Sequence, residues 1–215
     1  MESPLLIACA DIGSVRTGRF GWAARDDDGS WHDGDEPETL AQLVSATLRS
    51  GSQVALGFEC PLFVPVSRDP NRLTSARTGE GNRPWSAGAG AGVLATGLTE
   101  VVWILRRIRE LAPDASAVDL WDVFHRMGAD VLLWEAFVTS GAKGADHRAD
   151  ARIAVEEFGR RAAAGNVTSD VTCEHPFSLL AAAMLTTGWS DHVPLLATSC
   201  IVVRAAEQPG TSVTG

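Results

Sequence analysis

Three carboxylates stand where a carboxylate is hard to keep. Asp11 closes the apolar run Leu5-Leu6-Ile7-Ala8-Cys9-Ala10, and Glu59 closes Val54-Ala55-Leu56-Gly57-Phe58. Glu135 interrupts a third run, between Val131-Leu132-Leu133-Trp134 and Ala136-Phe137-Val138. Each run is apolar throughout instead of alternating, the pattern of a strand buried on both faces. An ionised acid in such a place needs a counter-charge, hydrogen bonds or a metal ion. Three acids on three strands point to one shared site, and a divalent cation is the simplest species that holds them together. Magnesium and manganese take such hard oxygen ligands.

Further candidates gather around Asp146. Asp146 and Asp150 lie four apart on one predicted helix, where like charges repel by roughly 0.2–0.5 kcal/mol. A metal would offset that repulsion. Both also fall in the first two turns, where acids suit the helix dipole. Lys143, Arg148, Arg152 and Arg83 are the cations placed to hold a substrate phosphate. Arg152 has Glu156 at i+4, so a surface ion pair accounts for it equally. Plainer roles stay open for the acids too: an Asx turn capping Gly13 to Gly18 for Asp11, an ion pair with Arg83 for Glu59, and a salt bridge to Lys143 or Arg148 for Glu135. Among the five histidines no H-x-x-x-H pair occurs, and His147, beside Asp146, is the one nearest this set. No G-x-S-x-G elbow is present.

The elements that position these residues follow from periodicity. Residues 5–12 read as a first strand, and Arg19 to Arg25 as a second after a short turn. Asp26-Asp27-Asp28-Gly29 is a hairpin turn, and a short third strand starts at Ser30. Asp35 is the expected N-cap of a helix, with Pro37 in its first turn and Glu38 completing a capping box. Leu40, Leu43, Val44, Thr47 and Leu48 then mark one helical face. Residues 53–60 are the next strand. Residues 61–97 read as a long irregular insertion with a Gly/Ala-rich stretch over Ser86–Gly92. Its glycines do not match G-x-x-x-x-G-K-[ST], so close helix packing or a flexible lid fits them better than a phosphate cradle. Leu98, Val101, Val102, Leu105, Ile108 and Leu111 stripe a helix. A short helix over 117–127, a strand over 130–138, helices over 145–164 and 177–187, and an edge strand at Ile201–Val203 complete the order. The expectation is one α/β domain over residues 1–207 with a frayed 208–215 tail. Its mixed central sheet, an antiparallel hairpin plus parallel strands, is flanked by helices. Sites in such sheets form at the carboxyl ends of the strands.

Composition narrows the function. The chain has 215 residues, a formal charge of −9 and a pI of about 5.0. That balance argues against a basic track along a duplex. Arg106, Arg107 and Arg109 are read as a solvated helix face. Seven Trp and no Tyr suit a core more than a base-stacking platform. No C-x-x-C pair occurs, so the four cysteines are expected as free thiols in a reducing compartment. No apolar run near the ~20 residues of a membrane helix and no basic leader are found. The expectation is a cytoplasmic protein with no membrane partner.

Asp11-Ile12-Gly13 on the first strand, Gly21-Trp22-Ala23 on the second and Glu59-Cys60-Pro61 on the fourth resemble the ribonuclease H-like superfamily. Trp134-Glu135-Ala136-Phe137, Lys143 and the Arg-containing helix resemble the later motif of its predicted-nuclease group of unknown function. The resemblance covers about residues 5–190. It implies a ribonuclease H-like fold and a two-metal site in which Asp11 bridges both ions, Glu59 binds one and a helix acid completes the set. Phe137-Val138-Thr139 lacks the proline that usually follows the glutamate, and His175-Pro176-Phe177-Ser178 lacks the acid such enzymes often carry at the last helix. The leading expectation is a Mg²⁺- or Mn²⁺-dependent phosphodiester hydrolase. Its catalytic residues would be Asp11, Glu59, Glu135 and Asp150, and its metal ligands would come from Asp11, Glu59, Asp146 and Asp150. Its substrate would be a short or structured nucleic acid, or a phosphorylated small molecule. A non-catalytic binding or scaffolding protein of the same fold is the alternative. Half of a sugar-kinase or actin-like ATPase ranks third, since the chain is too short for two halves.

Overall fold

The computed structural model describes residues 4–81, 84–138 and 142–205. Strands β1 (Leu5–Asp11), β2 (Gly21–Arg25) and β3 (Trp31–Gly34) form an antiparallel meander. The β2–β3 turn closes on Gly29, whose φ of 89° suits glycine, and the Asp28 carboxylate accepts from the Ser30 amide. Helix α1 (Pro37–Arg49) leads into β4 (Gln53–Glu59). Then come β5 (Phe63–Pro65), α2 (Gly88–Leu111), β6 (Ala117–Val118), α3 (Trp121–Met127) and β7 (Val131–Phe137). Helix α4 (His147–Ala163), β8 (Pro176–Ser178), α5 (Leu179–Thr187) and β9 (Val202–Arg204) complete the order.

The main sheet runs β3-β2-β1-β4-β7-β6. β4 is parallel to β1 and β7 is parallel to β4, as the apolar runs predict. β6 and β9 share the outer side of β7: Ala117 pairs with Val131 near its start, and Val202 with Glu135 near its end. β5 and β8 form a separate antiparallel pair. One face of the main sheet packs Leu6, Ala8, Ala10, Leu56 and Phe58 into a core with α1, α2 and α5. The other packs Cys9, Ala55, Leu132 and Trp134 against α4 and α3.

Several expectations need correcting. The 61–97 insertion is not irregular throughout. It contains β5, and the Gly/Ala stretch forms the first turns of α2. Glycine weakens a helix, but Gly90 stands where a Cβ would lie 2.8 Å from the Pro84 carbonyl oxygen, so the close approach requires it. The N-cap of α1 is Glu36, not Asp35, and Glu38 turns to Gln42 and Arg107 instead of back to the cap. Residues 117–127 divide into β6 and α3, and the helix expected from Phe177 starts at Leu179 after β8. The 208–215 tail lies outside the described residues. By length and mean hydropathy, 1.5 over its apolar window, α2 is long and apolar enough to cross a membrane, against expectation. Its buried Val101, Ile104, Leu105 and Ile108 nevertheless face α1 and α5, as in a core helix.

An aromatic contact adds to the seating of helix α4. Trp134 on β7 stacks on Phe158 of α4 with ring centroids 4.5 Å apart. The neighbouring strand makes room for the indole with Gly57, whose hypothetical Cβ would overlap the Trp134 ring. Gly57→Ala should therefore overpack this layer and cost about 1–3 kcal/mol, measured by urea unfolding. A loss under about 0.5 kcal/mol would show that α4 does not depend on this layer.

Candidate metal centre

Register brings the first two acids together. Asp11 and Glu59 are partners in the parallel β1–β4 ladder, so their side chains leave the sheet on the same face at its carboxyl end. That is the face α4 covers. The buried stripe of α4 is Asp150, Ala151, Ala154, Val155 and Phe158, and its small alanines let the helix sit close to β1 and β2. Gly21, the β2 partner of Asp11, completes the fit. A Cβ there would stand 2.7 Å from the Arg148 backbone nitrogen, so the first turn of α4 rests directly on the strand.

One oxygen from each of Asp11, Glu59 and Asp150 lies within 4.8 Å of the others. Metal–oxygen distances of about 2.0–2.6 Å place ligand oxygens up to about 5 Å apart around one ion, so this spacing fits a divalent cation. His147 reaches over Gly21 and sets its Nδ1 2.5 Å from Asp11 Oδ2. The Gly144 amide donates to Asp150 Oδ1 at 2.6 Å. The Lys143 ammonium lies 3.1 Å from Asp150 Oδ2 and 4.0 Å from Glu59 Oε1. Glu59 Oε2 is shut from solvent and has no hydrogen-bond partner. A buried oxygen without a donor is rare; a proton shared with the Asp11 carboxyl, or an ion beside it, would satisfy it. The donor set, all hard oxygen, fits Mg²⁺ or Mn²⁺.

Electrostatics record the strain of this gathering. Burial pushes the Asp11 carboxyl up, against the pull of His147. Burial raises Glu59 well above the usual carboxyl range, with the Asp11 charge adding to it. For Lys143, burial favours the neutral amine, but the charges of Glu59 and Asp150 outweigh it and raise its pKa.

The other predicted residues go elsewhere. Glu135 is not brought to the cluster. It pairs in register with Phe58, one residue off Glu59, so the pleat sends it to the opposite face. There Arg77 grips it through two nitrogens at 2.8 and 2.6 Å, and the Leu62 amide donates to it at 2.8 Å. Arg77 also holds Glu80 at 2.9 Å. Asp146 is also absent from the cluster. It caps α4, accepting from the Ala149 amide, and its side chain is exposed. Arg148 is exposed, 3.6 Å from both Asp33 and Asp146. Arg152 lies over the Trp31 ring at 4.2 Å, not over the acids. Arg83 lies outside the described residues.

His147, the histidine nearest this set in the sequence, stands on Asp11, and one further neighbour was not expected there. Glu100 of α2 faces the amides of Gly13 and Val15, and burial raises its pKa to about 7. The signal for Glu100 was its place between Gly97 and Ile104 on the buried stripe of α2.

No family model matches the chain, nor does any curated protein or solved structure.

Two outcomes follow from this geometry. Removing Arg77 strands two buried carboxylates, so Arg77→Met should cost about 3–5 kcal/mol in urea unfolding. A loss below about 1 kcal/mol would contradict its buried role. Because Asp11 and Glu59 are shifted upward, the folded protein holds their protons more tightly than the unfolded chain. That stability is present below the ordinary values of 3.8 and 4.5 and is lost as pH climbs above them. Glu59→Gln should therefore gain stability relative to the wild type as pH rises, without added metal. A difference that does not change with pH would refute the shift.

Proposed function

We propose that this chain is a metal-dependent phosphodiester hydrolase of nuclease type, built on a ribonuclease H-like fold and acting in the cytoplasm. The observation that carries the reading is the convergence of Asp11, Glu59 and Asp150 from β1, β4 and α4, with a buried Glu59 oxygen lacking any donor. The strand order, an antiparallel meander followed by parallel β4 and β7, supports the fold. Asp150 on α4 takes the part of the helix acid that the segment before α5 lacks.

Asp11, Glu59 and Asp150 would hold Mg²⁺ or Mn²⁺. When bound, the ion supplies Lewis-acid polarisation of a phosphoryl oxygen and a more acidic water. The chain's own residues do the rest. His147 fixes one Asp11 oxygen and keeps that carboxylate turned toward Glu59. Arg148, exposed beside the start of α4, offers a guanidinium to a phosphate oxygen. The net charge of −9 favours a short or structured nucleic acid, or a phosphorylated small molecule, over long duplex DNA.

A second reading, a non-catalytic binding or scaffolding protein, draws on Lys143. Its ammonium neutralises part of the cluster.

Titration of Mn²⁺ and Mg²⁺ while following the melting temperature tests the site. Saturation at about 100 times Kd stabilises by about 2.7 kcal/mol, and Asp11→Asn should abolish the response. No shift with either ion, or an equal shift in Asp11→Asn, would refute the metal site. A shift without hydrolysis of bis(p-nitrophenyl) phosphate or a short DNA hairpin would favour the scaffold.

A further inference from the structure

Lys143 is the only lysine among 18 basic residues, and it points into the acid cluster. Its ammonium lies 3.1 Å from Asp150 Oδ2 and 4.0 Å from Glu59 Oε1. These are two of the three residues that would ligate an ion. A charged ammonium has three donors and no acceptor, so it cannot join the coordination shell. It repels a divalent ion at this range. Ion and ammonium therefore compete for the same oxygens.

The surroundings provide an exit. The Lys143 side chain is 45% exposed, whereas those of Asp150 and Glu59 are 6% and 12% exposed. Ala142 behind it is buried, and the Gly144 amide is tied to Asp150, so the backbone on both sides is anchored. The flexible four-carbon stem is the part free to move. Arginine in its place would grip a carboxylate with a planar fork and release it less readily.

We propose that Lys143 is a tethered stand-in cation: it holds Asp150 and Glu59 in the metal-free protein, and a divalent ion enters by displacing it toward solvent. This rests on the metal reading above and adds to it how the site fills. The released ammonium then stands at the rim beside the ion, where an anionic substrate oxygen can meet it. Coupling of this kind is reciprocal. Whatever weakens the ammonium's hold tightens the ion, and the ion loosens the ammonium by the same factor.

Mn²⁺ binding to the wild type, Lys143→Gln and Lys143→Arg, followed by the electron paramagnetic resonance of free Mn²⁺, tests the proposal. Lys143→Gln should bind about 1.5- to 5-fold tighter, as loss of a partly exposed ion pair allows, and Lys143→Arg no tighter than the wild type. Equal or weaker binding by Lys143→Gln, with a wild type that binds, overturns displacement alone. Silence in all three overturns the metal reading with it. A second measurement needs no variant. Labelling with a succinimidyl ester, read by mass spectrometry against the chain's N-terminal amine, should mark Lys143 faster when Mg²⁺ is present and be unchanged by Mg²⁺ in Asp11→Asn. Slower or unaltered labelling in the wild type overturns the proposal.

Discussion

The in-register pairing of Asp11 with Glu59 is the constraint on which the rest of this structure turns. Two carboxylates on adjacent parallel strands sit about 4.8 Å apart along the ladder, on one face, at the edge of a dry core. Neither can carry its charge there unaided. Helix α4 answers with a histidine on Asp11, and the loop before it sends a lysine to Glu59 and Asp150. Bringing α4 so close requires a missing side chain on each of two strands, β2 and β4. Gly21 accepts its first turn, and Gly57 accepts the Trp134 ring on which Phe158 rests.

Glu135 shows how much depends on a single step along a strand. It is buried like Asp11 and Asp150, but the pleat turns it to the other face. There it meets Arg77, whose guanidinium also takes Glu80 and packs over Phe63 at 4.5 Å. The network fastens the segment around residues 77–80 to the sheet. A fully hydrogen-bonded buried acid of this sort is a fastener, whereas Glu59 keeps one buried oxygen without a hydrogen-bond partner.

Much of the frame was legible because buried parallel strands announce themselves as unbroken apolar runs. β1, β4 and β7 fall where those runs lie, and Asp11 and Glu59 at their ends are the acids that meet. Register was not legible, so Glu135 was grouped with them although it stands one residue out of phase. The direction of α4 was hidden as well: Asp146 and Asp150 share a helical side, but capping draws the first outward and only the second is buried. Glu100 was missed, and the partner of His147 was not foreseen, because their neighbours come from elements far away in sequence. Arg77 was missed because an arginine in a proline-rich stretch looks like surface until the chain folds back over Phe63.

The far border of the sheet has a consequence beyond the site. β7 is flanked on its outer side by β6, two residues long, and β9, three residues long, set end to end. The opposite border, β3, is only four residues and carries Asp33. Neither rim offers a long, uncharged stretch of unpaired backbone on which another molecule's strand could template itself. Short, interrupted borders of this kind are how a domain with so apolar a centre limits edge-to-edge pairing.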